Sequence, residues 1–222
     1  MKTINIAIDG PAGAGKSTIA KKVAKTKKFI YVDTGAMYRA MAYFLLSEKV
    51  DPADDKMVGE KCLDADITIE YVDGEQIVLL NGRNVNGVLR TEEVGNMASA
   101  TSKNPKVRER LTHLQKELAA KNNVVMDGRD IGTCVLPGAD VKVYLTASAK
   151  VRAKRRFDEL RAKGEECDIN KIEEDIIKRD EQDMNRKIAP LKQAQDAVFV
   201  DSSDMTIEEV VQKILSLCET KI

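Results

Sequence analysis

This chain is predicted to adopt an α/β fold, a five-stranded parallel sheet flanked by helices with a small antiparallel β insert. Three observations carry the prediction. Short runs of β-branched and aliphatic residues alternate with helical stretches, the pattern of a parallel sheet covered on both faces. The first run opens directly into a glycine-rich turn followed by a helix. Three later runs each end in an aspartate, Asp33, Asp127 and Asp201.

Taken in order, Ile4–Ile8 is a buried strand leading into the turn, and Lys16–Lys27 has helical composition. Phe29–Val32 reads as the second strand. The rhythm then changes: Ile67, Ile69 and Tyr71 alternate with polar residues, Asp73-Gly74 follows, and Ile77 and Leu79 resume the alternation. That is a β-hairpin with one apolar face, followed by a turn-rich stretch at Asn81–Gly87. A helix begins after Pro105. Val124–Met126, Val141–Leu145 and Ala197–Val200 complete the core strands, and Thr206-Ile-Glu-Glu209 is a capping box opening the last helix. The expected organisation is one domain over 1–222, with a core at about 1–59 and 100–222 and an insert at about 60–99.

The chain has 222 residues with 36 Lys+Arg against 36 Asp+Glu, so its formal net charge is zero. A balanced charge argues against electrostatic capture of nucleic acid or an anionic membrane by the whole protein. Aromatics make up 4% and Trp is absent, which weakens any reading that needs stacking platforms for single-stranded nucleic acid. At 43% hydrophobic residues, a full core can form. Four cysteines (Cys62, Cys134, Cys167, Cys218) lie far apart with no CxxC pair, a pattern suited to a reducing compartment. The N-terminus meets Asp9 before a secretory apolar region develops, and no apolar run approaches the ~20 residues that span a bilayer. A cytoplasmic protein is expected.

Gly10-Pro11-Ala12-Gly13-Ala14-Gly15-Lys16-Ser17 fits G-x-x-x-x-G-K-[ST], between a strand and a helix as the motif requires. Its glycines let successive N–H groups turn inward toward phosphate oxygens, and the helix adds its positive end. These residues and Thr18 are the candidate ATP-binding set, with Lys16 reaching the β- and γ-phosphates and Ser17 ligating Mg²⁺. A GTPase would need N-K-x-D after a core strand. Asn170-Lys171-Ile172-Glu173 lacks the Asp and follows no strand. The chain is also short for a motor or transporter ATPase, so a kinase of small substrates is favoured.

Ligands of open α/β sheets bind at the carboxyl ends of the strands, where two polar segments stand. In Asp33-Thr34-Gly35-Ala36-Met37-Tyr38-Arg39, Thr34 can hydrogen-bond a ligand or cap the helix, and Arg39 can fork onto phosphate. In Asp127-Gly128-Arg129-Asp130, Asp127 can hold Mg²⁺ in the manner of a Walker B aspartate. Arg129 would be a second phosphate fork, and Asp130 could read an exocyclic amine. Arg179, Asp183 and Arg186 share one face of a helix ended by Pro190, although a solvated ion-paired face has the same pattern. Arg152, Arg155 and Arg156 cluster after the Val141–Leu145 strand, where a closing loop can bring cations to the transferring phosphoryl. His113 is the only histidine and is read as exposed or satisfied. A phosphate acceptor is largely dianionic at neutral pH and needs no general base, so an arginine-rich site without histidine suits phosphate-to-phosphate transfer.

Together, Ile8-Asp-Gly-Pro-Ala-Gly-Ala-Gly-Lys-Ser17, Asp33-Thr-Gly-Ala-Met-Tyr-Arg39, Arg90-Thr-Glu, Asp127-Gly-Arg-Asp-Ile-Gly-Thr133 and Arg186-Lys-Ile-Ala-Pro-Leu191 resemble the bacterial cytidylate kinases, nucleoside monophosphate kinases of P-loop type. They run through almost the whole chain, and the hairpin insert matches the long bacterial form. The resemblance implies transfer of the ATP γ-phosphoryl to CMP and dCMP by a monomer. It implies that Thr34, Arg39 and Arg129 hold the acceptor phosphate. Ser99, Arg108, Asp130 and Arg186 would read cytosine, whose N4 donates where uracil O4 cannot. Arg179 and Asp183 would contact the sugar, and a lid over about 152–186 would bring Arg152 and Arg156 to the reaction. Thr34 stands where the family often has Ser, with the hydroxyl retained. Two other readings compete: a P-loop kinase of UMP or of a non-nucleotide hydroxyl, and a nucleotide-binding regulatory or RNA-binding module using the basic Arg152–Lys163 helix.

Overall fold

A computed structural model describes residues 3–221. In chain order the elements are β1 (Asn5–Asp9), α1 (Lys16–Lys27), β2 (Ile30–Asp33), α2 (Thr34–Ser47) and α3 (Asp55–Lys61). Next come β3 (Ile67–Val72), β4 (Glu75–Leu80), β5 (Arg83–Asn84), α4 (Glu92–Thr101) and α5 (Pro105–Lys121). The rest are β6 (Val124–Gly128), β7 (Val141–Thr146), α6 (Ala149–Ala162), α7 (Ile169–Asn185), β8 (Val198–Asp201) and α8 (Ile207–Lys221). The chain divides into two compact units, one running up to Phe29 and again from Asn123 onward, the other Ile30–Asn122.

In the first unit β1 lies between β6 and β7, parallel to both, and β8 continues the sheet beyond β7. With β2, which opens the second unit, the sheet counts five strands. Ile6, Ala7, Ile8, Val124, Val125 and Met126 are fully buried. Such unbroken apolar runs mark strands covered on both faces, and α1 and α8 supply cover. The register Asp9↔Gly128 and Asp9↔Tyr144 brings the carboxyl ends of β1, β6 and β7 level. Each expected core strand is present, its ends differing by at most two residues from those expected. The expected capping box is complete: Thr206 N and Oγ1 donate to Glu209 Oε2 at 2.8 and 2.9 Å, and Glu209 N donates to Thr206 Oγ1 at 3.2 Å.

The second unit packs α2 against α4 and against the β3–β4 hairpin. Met37, Ala40, Met41 and Leu45 of α2 are completely buried. Asp73 and Gly74 both have positive φ (52° and 79°), the backbone of a two-residue hairpin turn. Ile67, Ile69 and Tyr71 point to the covered face, as their alternation predicted. Asn81 and Gly82 repeat the positive-φ pair and lead into β5, so the stretch expected only as turns adds a third strand. Two residues are too few to show an alternation. The unit's bounds are wider than the 60–99 insert because the hairpin packs on α2. No helix among the described residues is long and apolar enough to cross a membrane.

Candidate active site

The loop between β1 and α1 is shaped by backbone. Gly10 has φ 150°, and a Cβ there would lie 1.9 Å from the Leu145 carbonyl oxygen. Gly13 and Gly15 have φ 76° and 87°, a region L side chains avoid. Gly15 leads α1 without a side-chain cap, so the helix's first N–H groups face the loop. Lys16 is buried, and its Nζ donates to the Pro11 carbonyl at 2.7 Å. Burial, then the nearby Arg129 charge, push its pKa down to about 7, against the pull of Asp127, Asp9 and Asp183. Thr18 is exposed on the first turn of α1.

Asp127, buried near the end of β6, accepts from Ser17 Oγ at 3.0 Å. A magnesium ion asks for only one or two protein ligands, completing its octahedron with water and phosphate oxygens. A hydroxyl and a carboxylate in contact beside a phosphate loop fit that demand. No cluster of three or more His, Cys, Asp or Glu side chains able to hold a metal occurs among the described residues.

After β6 the chain makes a single π turn, Ile131–Val135. Arg129 Nε donates to Asp183 Oδ2 at 2.8 Å. Arg186 stands 3.5 Å from Asp130 and 3.7 Å from Asp183, and its Nε donates to the Ala189 carbonyl at 2.6 Å. Arg129, Asp183, Arg186 and Asp130 thus form a chain of alternating charge, and both Asp130 and Arg186 are nearly enclosed. Arg186 lies just past the helix rather than on it, since α7 stops at Asn185, short of Pro190. Arg179 is exposed on α7.

The three arginines of α6 diverge. Arg152 is buried: Nη1 and Nη2 pair with the two Asp180 oxygens at 3.1 and 2.5 Å, Nε donates to the Ala147 carbonyl, and Nη1 also donates to Ala12 of the phosphate loop at 2.9 Å. Arg155 donates to the Ser202 carbonyl at 2.8 Å. Arg156 is half exposed and pairs with Glu159 at 2.9 Å.

In the second unit the helix cap is Asp33, whose Oδ1 accepts from Ala36 N at 2.8 Å, so Thr34 lies within the first turn and is buried. Arg39 Nη2 lies 3.2 Å from Asp33 Oδ2, and its buried Nε finds no hydrogen-bond acceptor among the described residues. Arg108 is buried, donates to the Ser102 carbonyl at 3.2 Å and lies over the Tyr38 ring. Ser99 is half-buried on α4.

Three residues of these sites were not among the expected ones. Asp9 accepts from Ile131 N and Gly132 N, both at 2.7 Å. Asp180 anchors Arg152. Gln76 of β4 accepts from Asp33 N at 2.8 Å and donates to Asp33 O at 3.2 Å, tying the hairpin to the segment that carries Thr34 and Arg39. Only Asp9 carried a sequence signal, as a charged residue ending a buried strand beside the glycine turn.

A family model described as cytidylate kinase matches residues 6–220. A cytidylate kinase of Caldicellulosiruptor bescii is 52% identical over 217 residues, covering 98% of this chain and 96% of that protein. One of Bacillus cereus is 48% identical over 216 residues, covering 97% and 96%. Among solved structures, a gluconokinase from Sinorhizobium meliloti superposes with TM-score 0.51 at 14% identity, covering 98% of this chain and 93% of its own. A shikimate kinase from Bacteroides thetaiotaomicron does so with TM-score 0.50 at 17% identity, covering 97% and 98%. These two share the fold alone. With a match over 6–220 and about half of all positions identical in relatives of the same length, this chain belongs to the cytidylate kinase family.

Proposed function

We infer that the chain transfers the γ-phosphoryl group of ATP to CMP or dCMP, giving CDP or dCDP and ADP. The observation that carries this reading is the end of β6 and the residues just after it, where Asp127 meets the Ser17 hydroxyl at 3.0 Å and Asp130 meets Arg186 at 3.5 Å. One end of the Asp127–Asp130 segment suits the metal–phosphate assembly; the other offers a carboxylate that can accept a hydrogen bond from the N4–H of cytosine. The relatives' name, cytidylate kinase, points to the same substrate.

In this reading the N–H groups of Gly10–Gly15 and the start of α1 cradle the ATP phosphates, and Lys16 follows charge as it moves from the γ-phosphoryl to the leaving ADP. Ser17 and Asp127 would hold Mg²⁺, which supplies charge neutralisation and orientation. Thr34, Arg39 and Arg129 hold the acceptor phosphate. Ser99, Arg108, Asp130 and Arg186 take the base, and Arg179 and Asp183 the sugar. Arg156, half exposed on α6, and Arg152, already bonded to the Ala12 carbonyl, are the cations of the lid at about 152–186. A dianionic acceptor oxygen attacks without a general base, in keeping with His113, which is 76% exposed on α5 beside Glu117. We place the enzyme in the cytoplasm, a reading supported by four free thiols, acting on free nucleotides, which suits zero net charge; the monomer follows from the resemblance to the family.

The test is ADP release from ATP·Mg²⁺ with CMP, dCMP, UMP, AMP and GMP offered separately. Turnover with CMP and dCMP well above the rest is expected. Equal turnover with UMP overturns the base assignment, and nucleotide binding without any acceptor-dependent turnover overturns the kinase reading.

A further inference from the structure

We propose that Asp9 is a positioning residue for base selection: it caps the π turn after β6 in place of Asp130, leaving the Asp130 carboxylate directed toward Arg186 and the base. The inference rests on the cytidylate kinase reading above. The first N–H groups of any helical turn lack partners within it, and the residue just ahead normally supplies a side-chain oxygen, aspartate being among the best. Asp130 holds that place ahead of Ile131–Val135, yet its side chain makes no capping bond. Its carboxylate faces Arg186 at 3.5 Å instead.

Asp9, the last residue of β1, does the capping. Its Oδ1 accepts from Ile131 N and its Oδ2 from Gly132 N, each at 2.7 Å, in a site only 5% exposed. The Asp130 carbonyl is held from the other side by the N–H groups of Cys134 and Val135, at 2.8 and 3.2 Å. The approach at Gly132 is tight, since a Cβ there would lie 3.3 Å from Asp9 Oδ2 and 3.2 Å from Lys142 Cδ. Burial pushes the Asp9 carboxyl up to about 6 against the two N–H bonds, with Asp130 adding to the rise, so it is chiefly ionised at neutral pH with both oxygens accepting.

Asp9→Asn tests this, because its amide oxygen serves one N–H group while its NH₂ confronts the other. At a temperature well below unfolding, the ratio of kcat/KM for CMP to that for UMP should fall at least about tenfold, through KM for the monophosphate. KM for ATP should change by a smaller factor than KM for CMP, the Asp9 charge also acting on Lys16. Gly132→Ala presses on the same contact without altering charge and should shift the ratio in the same direction; it decides the matter if Asp9→Asn does not fold. An unchanged ratio, equal losses with both acceptors, or an effect confined to KM for ATP would overturn the proposal. A wild-type enzyme showing no preference for CMP over UMP would instead overturn the functional reading, and the proposal with it.

Discussion

The phosphate loop and the turn after β6 stand on neighbouring parallel strands, yet they are built in opposite ways. In Gly10–Gly15 the shape is carried by backbone: three positive-φ glycines, one pressed on the Leu145 carbonyl, and an uncapped helix start. In Asp127–Gly132 it is carried by side chains from distant parts of the chain: Asp183 holds Arg129, Arg186 holds Asp130, and Asp9 holds the N–H groups of Ile131 and Gly132. A loop held by its own backbone recognises what every nucleotide shares, the phosphates. A turn held by charged side chains can be specific to one base, at the cost of depending on every partner.

The largest expected effect breaks the backbone side. Gly10→Ala puts a methyl group 1.9 Å from a backbone oxygen that cannot swing away, so the variant should lose ATP binding and unfold at least about 3 kcal/mol more easily, measured by denaturant titration. Lys16→Met keeps the glycine turns but removes the buried ammonium together with its bond to the Pro11 carbonyl, and should lower kcat by about a thousandfold with modest change in folding. Asp180→Asn leaves the buried Arg152 guanidinium without its charge partner and should destabilise by about 3 kcal/mol, again by denaturation. The smallest effect is a proton. With Lys16 pushed down to about 7 from 10.5, the free enzyme at pH 8 holds it mostly neutral, and the triphosphate draws the proton back. ATP binding at pH 8 should therefore take up a fraction of a proton, seen as a binding enthalpy that depends on the buffer's own ionisation enthalpy. The same shift carries a stability sign: the unfolded lysine keeps its proton up to about 10.5, so the cost of burying it is full below about 7 and falls away as pH rises between the two.

The two regions also differ in how far the sequence disclosed them. The glycines, Lys16 and Ser17 are contiguous, and their spacing states the chemistry; Asp127 followed from its place at a strand end. The π turn, the Arg152–Asp180 pair and the Gln76 clasp on Asp33 join residues remote in sequence, and no local pattern marks them. Helical spacing predicts one face shared by Arg179, Asp183 and Arg186, but α7 ends before Arg186, which reaches back to Asp183 from outside the helix. Likewise the arginines of α6 looked alike in sequence, while folding turned Arg152 inward, bound Arg155 to the end of β8 and left Arg156 half exposed.

The central claim is that the charged turn, and not the loop, chooses the substrate. It is tested most directly by Asp130→Asn, assayed with CMP and UMP at saturating ATP. The account predicts that the CMP preference falls by at least about tenfold with KM for ATP unchanged. A CMP preference equal to that of the wild type would contradict it.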